Sequence, residues 1–150
     1  MEVINYKGNV DFLEPIAYAW LDEAHTKDFG LNAIWDKFKV SLQELADGPE
    51  SVLLLLADDG KAVGFLGGVL FESPLDSQQI ANEHFWYVIP KYRGRPVFKL
   101  MKAFRRWARE KGASHLMMNA SMLASDKHDR MCKLYAKNMK HFETTYLQEL

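Results

Sequence analysis

The stretch from Ile80 to Ala120 limits the fold more than any other part of the chain. It reads as an apolar strand over Ile80–Ile89, stopped by Pro90, then a basic turn, Arg93-Gly94-Arg95, and then a helix that opens at Pro96. Proline suits a first helical turn, where its missing N–H has no intrahelical partner to lose. Val97, Leu100, Met101, Phe104, Trp107 and Ala108 recur at helical spacing and form a buried stripe, while Lys99, Lys102, Arg106 and Arg109 fall largely outside it. Gly112 ends the helix and a further strand follows over His115–Ala120. A strand, a helix and a second strand make a crossover that places the two strands parallel and winds right-handed. The turn at Gly94 offers free backbone N–H groups and the positive end of a helix dipole, the makings of an anion or phosphate cradle.

The rest of the chain supplies the partners of this unit. Glu2–Tyr6 fits a short strand. Asn9 can cap a helix carrying Val10, Leu13, Ile16, Ala17, Trp20, Leu21 and Ala24, with Pro15 inside the pattern. Asp28-Phe29-Gly30 breaks it, and a second helix is expected from Asn32 to Asp47-Gly48-Pro49, with Ile34, Trp35, Phe38, Leu42 and Leu45 on one face. Ser51–Ala57 and Ala62–Phe71 are apolar strands joined by the tight turn Asp58-Asp59-Gly60-Lys61, and Gly67-Gly68 marks a bulge or a close backbone approach. After the crossover, Asp126 can cap a helix through Met139 with Met131, Leu134 and Tyr135 facing inward, and Phe142–Leu150 reads as a last strand. The expected order is β-α-α-β-β-β-α-β-α-β over residues 1–150, a single mixed α/β domain.

The net charge of −1 conceals an asymmetry. Lys91 to Lys111 holds nine basic residues against Glu110 alone, a local +8, so the remainder of the chain carries −9. Positive potential gathered at one turn and one helix suits a polyanionic ligand. A nucleic-acid binder is one such reading, ranked last because Trp107 lies on the apolar stripe and leaves little exposed aromatic surface for base stacking. Cys132 is the only cysteine, which excludes an intrachain disulfide, fits a reducing compartment and reads as a small buried helix residue. The five histidines show no metal-ligand spacing, so no metal is expected. The Val52–Ala57 run is too short to span a membrane, and the chain is read as soluble and cytoplasmic.

This element order, with a strand ending Val88-Ile89-Pro90, the Arg93-Gly94-Arg95 turn and a later helix carrying Leu134-Tyr135, resembles the GCN5-related N-acetyltransferase (GNAT) family. The similarity runs along essentially the whole chain and is most specific over Tyr87–Ala113, which looks like the family's acetyl-CoA signature. The final segment Glu143–Leu150 looks like the closing strand of small phage-encoded members. The resemblance implies an acyl-CoA N-acyltransferase fold, a central mixed sheet with helices on both faces. It implies direct transfer of an acetyl group from acetyl-CoA to a primary amine of a small molecule or protein, within a ternary complex. No metal is implied, and a homodimer is compatible with it.

By the same resemblance, acetyl-CoA enters between the strands around Trp86–Ile89 and His115–Ala120. Tyr87 and Val88 then stand at the pantetheine, with Arg93, Gly94, Arg95, Val97 and Phe98 around the pyrophosphate. Tyr135 matches the family's acid for the departing thiolate, and Glu83 lies near a position used for the base. Acidic residues of the first two helices, Asp22, Glu23, Asp28 and Asp36, suit a cationic acceptor. Pro96 and Phe98 occupy positions where the signature has small residues. That departure keeps open a second reading, a catalytically inactive GNAT-like binding or assembly domain.

Overall fold

A computed structural model of the chain describes residues 1–123 and 127–150. Five strands form one sheet in the order β1-β2-β3-β4-β5: β1 (Glu2–Asn5), β2 (Ser51–Asp58), β3 (Lys61–Glu72), β4 (Gln79–Val88) and β5 (His115–Met117). The first four pair antiparallel, and β5 joins β4 parallel across the crossover helix α3 (Val97–Glu110). Helices α1 (Glu14–Glu23) and α2 (Trp35–Asp47) precede β2, and α4 (His128–Tyr135) follows β5.

Two cores sandwich the sheet, as its doubly apolar central strands require. On one face Leu13, Ile16, Phe38, Leu42 and Leu45 pack against Leu53, Leu55 and Phe65. On the other, Leu100, Phe104, Trp107 and Ala108 of α3 pack against Val52, Leu54, Leu56 and Leu66. Each fully buried Leu or Phe contributes on the order of 1.5–3 kcal/mol of transfer free energy, which is what fastens an otherwise strongly basic helix to the sheet.

The local signals act where they stand in the chain. Asp59 and Gly60 take φ of 47° and 73°, the two positive values that a two-residue turn needs to match the twist of β2 and β3. Pro15 sits in the first turn of α1, where it bends nothing; the Asn9 side chain accepts the Asp11 N–H at 2.7 Å but does not cap α1, which starts at Glu14 after a 3-10 turn over Asp11–Leu13. The bulge lies at Gly67-Gly68: Gly67 pairs with Phe85 but Gly68 pairs with Glu83, so His84 of β4 is the extra residue. Those glycines are also close approaches, since a Cβ at Gly67 would lie 2.5 Å from Leu45 and one at Gly68 2.5 Å from Phe104.

The fold class holds, but several boundaries move. Helix α2 starts at Trp35, because Asn32 makes no capping bond and Ile34 is extended. Strand β5 stops at Met117, and α4 ends at Tyr135. The cap assigned to Asp126 lies outside the described residues. The expected last strand is not formed: residues 141–150 carry no regular structure, and Phe142, Tyr146 and Leu150 are exposed, because no sheet edge receives their backbone. Cys132, expected inside, is exposed, since α4 turns Met131, Leu134 and Tyr135 toward the protein and Cys132 away. Among the described residues no helix is long and apolar enough to cross a membrane.

Candidate active site

Strands β4 and β5 pair only over Ile80–Asn82 and His115–Met117, then separate. The fork opens a cleft of about 330 Å³ bordered by β4, the Arg93-Gly94 turn, the start of α3, residues 119–121 and α4. Glu83, Tyr87, Val88, Arg93, Gly94, Val97, Phe98 and Tyr135 all line it. Arg95 is exposed and outside the lining.

Asn119 spans the fork. Its backbone N–H donates to Glu83 Oε2 at 3.0 Å, its side-chain amide donates to the Glu83 carbonyl, and its own carbonyl accepts the Tyr135 hydroxyl at 3.4 Å. Glu83 is 4% exposed. Burial pushes its carboxyl up to about 7, against the opposing pull of the Asn119 hydrogen bonds. Burial also raises the Tyr135 phenol, helped by the Glu83 and Cys132 charges, so the hydroxyl keeps its proton at neutral pH.

A second group closes one side of the cleft. Glu23, the last residue of α1, accepts the Tyr87 hydroxyl at 2.6 Å and the Arg93 guanidinium at 2.9 and 2.8 Å. Partial burial raises the Glu23 carboxyl, but the bonds from Tyr87 and Arg93, with the charges of Arg93 and Lys127, outweigh it and hold it below its ordinary value. Arg93 Nε donates to the Val88 carbonyl at 2.7 Å. Arg93, expected at a pyrophosphate, is thus engaged within the protein, and the Tyr87 ring, 6% exposed, is turned toward α1.

The turn keeps part of an anion cradle. Gly94 takes φ 116°, and a Cβ there would meet nothing within 4 Å. The N–H groups of Gly94 and Arg95 have no hydrogen-bond partner among the described residues. Those of Val97 and Phe98 are turned back onto the Gly94 and Arg95 carbonyls at 3.2 Å, and Pro96 has none. Two open amides and a flanking basic helix fit a pyrophosphate, and the fork fits an extended pantetheine arm. Among the described residues no group of three His, Cys, Asp or Glu side chains is placed to hold a metal ion.

Residues 15–140 match the family model described as Acetyltransferase (GNAT) family. The chain belongs to the GNAT acetyltransferase family. Membership makes it an N-acetyltransferase that uses acetyl-CoA. No curated protein matches the sequence. Solved structures share the fold at low identity. A ribosomal-protein-alanine N-acetyltransferase from Brucella melitensis biovar Abortus is 17% identical with a TM-score of 0.74, covering 100% of both chains. A mutant form of the BH1408 protein from Bacillus halodurans is 16% identical with a TM-score of 0.78, covering 100% of this chain and 99% of that one. The aminoglycoside enzyme AAC(6')-Iy, in complex with the bisubstrate analogue CoA-S-monomethyl-acetylneamine, is 19% identical with a TM-score of 0.67, covering 100% and 99%.

Among the residues lining a GNAT cleft here, Asn119 escapes sequence reasoning, having no local signal. Glu23 stood out only as one of several acids on the first helices, and nothing in its neighbours marks its pairing with Arg93, seventy positions away.

Proposed function

We propose that this enzyme acetylates a primary amine by direct attack within a ternary complex, with Glu83 as general base and Tyr135 as general acid. Acetyl-CoA, when bound, supplies the activated acetyl thioester. The observation that carries the assignment is the Glu83 carboxyl: buried at the fork, raised to about 7, and linked through Asn119 to the Tyr135 hydroxyl. A base works best when its pKa lies near the operating pH, and a carboxyl at its ordinary value would be far too weak to deprotonate an ammonium group.

Oε2 of Glu83 accepts the Asn119 N–H, so Oε1 is the oxygen left to receive a proton from the acceptor. Tyr135 Oη holds its proton at neutral pH and donates it to the departing thiolate. The wall of buried Tyr87 and Val88 and half-buried Phe85 keeps water from the reacting carbonyl. The acceptor is read as a cationic amine of a small molecule or of a protein, the classes named for the aminoglycoside and ribosomal-protein neighbours.

The test is release of free CoA thiol from acetyl-CoA with a panel of amines: an aminoglycoside, a polyamine and a peptide with N-terminal alanine. Turnover that survives Glu83→Gln at full rate would remove Glu83 from the mechanism.

A further inference from the structure

The Ile89 N–H donates to the Val63 carbonyl in β3 at 3.0 Å. In a planar trans peptide the carbonyl points opposite to the N–H, so the Val88 carbonyl faces away from β3 and into the gap between β4 and β5. That acceptor, on the edge along which a pantetheine arm would lie, is already taken by Arg93 Nε at 2.7 Å. Arg93 is held there by both oxygens of Glu23, and Tyr87 fixes Glu23 from the other side at 2.6 Å. Beside it, the N–H groups of Gly94 and Arg95 have no partner among the described residues. The guanidinium therefore closes the β4 edge while the adjoining backbone is left open for an anion.

We infer that Arg93 and Glu23 form a latch over the fork, closed in the free enzyme and opened when the pyrophosphate of acetyl-CoA draws the guanidinium off Glu23 and off the Val88 carbonyl. This rests on the acetyl-CoA-dependent reading above. The two sites compete for one cation. A guanidinium–carboxylate pair, here Nη2 alone set between both Glu23 oxygens, and a guanidinium–phosphate pair are chemically alike, so the exchange is close to balanced and sensitive to small changes. Opening exposes the Val88 carbonyl to a pantetheine amide N–H. It also takes one cation off the Glu23 carboxylate, which keeps the Tyr87 hydroxyl and the charge of Lys127 beside it, so an ammonium acceptor meets a stronger counter-charge after acetyl-CoA is bound.

Calorimetric titration of acetyl-CoA into wild type, Glu23→Gln and Asp22→Asn tests the latch. Asp22→Asn removes the same charge one residue away, from an exposed side chain with no part in the pair. Glu23→Gln should tighten acetyl-CoA binding about three- to tenfold while Asp22→Asn leaves it nearly unchanged. Equal tightening in both variants would reduce the effect to general electrostatics and overturn the latch. Unchanged or weaker binding in Glu23→Gln would make the pair a structural support and overturn it as well. If neither wild type nor Glu23→Gln binds acetyl-CoA, the functional reading itself falls. Arginine side-chain ¹⁵N spectra supply a second readout: the Arg93 Nε resonance, assigned by its loss in Arg93→Lys, should move on saturation with acetyl-CoA and stay in place with pantetheine, which lacks the phosphates. An Arg93 resonance indifferent to acetyl-CoA overturns the latch.

Discussion

The Asn119 backbone N–H reaches Glu83 Oε2 at 3.0 Å across a fork where β4, which carries Glu83, no longer pairs with the chain leaving β5. One peptide thus does what the sheet ladder has stopped doing, and it does so for a carboxylate instead of a carbonyl.

The charge on Glu83 has a kinetic consequence. With the carboxyl raised to about 7, kcat/KM should rise with pH through an inflection near that value and then level off, because only the carboxylate takes a proton. Glu83→Gln should lower kcat by on the order of a hundred- to ten-thousandfold and abolish the inflection. A wild-type profile flat between pH 6 and 8 would count against the assignment.

Stability should move in the opposite sense. The folded pKa lies above the ordinary 4.5, so between about 4.5 and 7 the folded chain holds a proton the unfolded chain has lost, and stability falls as pH rises. Below 4.5 both states are protonated and the penalty is absent; above 7 it is fully present. Melting of Glu83→Gln against wild type should show the variant gaining relative stability from pH 5 to pH 8.

Tyr135→Phe keeps the ring and removes the hydroxyl, whose one hydrogen bond among the described residues is 3.4 Å long. We expect kcat to fall roughly ten- to a thousandfold, with acetyl-CoA affinity and melting temperature nearly unchanged. An undiminished rate would pass the acid role to water or another donor.

The two arginines of the turn should separate. Arg93→Ala breaks bonds to Glu23 and to the Val88 carbonyl at partly screened positions, and chemical denaturation should show a loss of about 1–2 kcal/mol. Arg95→Ala should leave stability within about 0.5 kcal/mol and weaken acetyl-CoA binding, since its side chain is exposed beside the open amides. Equal stability losses would show that Arg95 is structural too.

Removing residues 142–150 should leave the melting temperature almost unchanged, because the segment adds no strand and its large side chains are exposed. A marked destabilisation would show that the tail packs in solution.

Elements whose signals are local were legible in the sequence. The Asp59-Gly60 turn, the Gly67-Gly68 irregularity and the apolar stripe of α3 each follow from neighbouring residues and appear where expected. The closing strand misled because the apolar residues of Phe142–Leu150 do not say whether a sheet edge is free to pair with them. At the site, Glu83 and Tyr135 were named through the family resemblance and both line the cleft, while their join through Asn119 was not legible, being a long-range contact. Arg93 lines the cleft, as the resemblance implied, and its bond to Glu23 could not be read beforehand, because that pairing depends on where α1 ends.

The supernumerary residue in β4 inverts the strand's parity. Ahead of His84 an odd-numbered side chain, Ala81, packs with α3, whereas beyond it the even-numbered Trp86 and Val88 do, and the odd-numbered Phe85 and Tyr87 cross to the α1–α2 side. Every downstream position, including the Val88 carbonyl and the Tyr87 hydroxyl, owes its direction to a residue that is itself exposed. What the fold needs at position 84 is the presence of a residue: losing one there would turn the apolar side chains into the wrong layers and the cleft inside out.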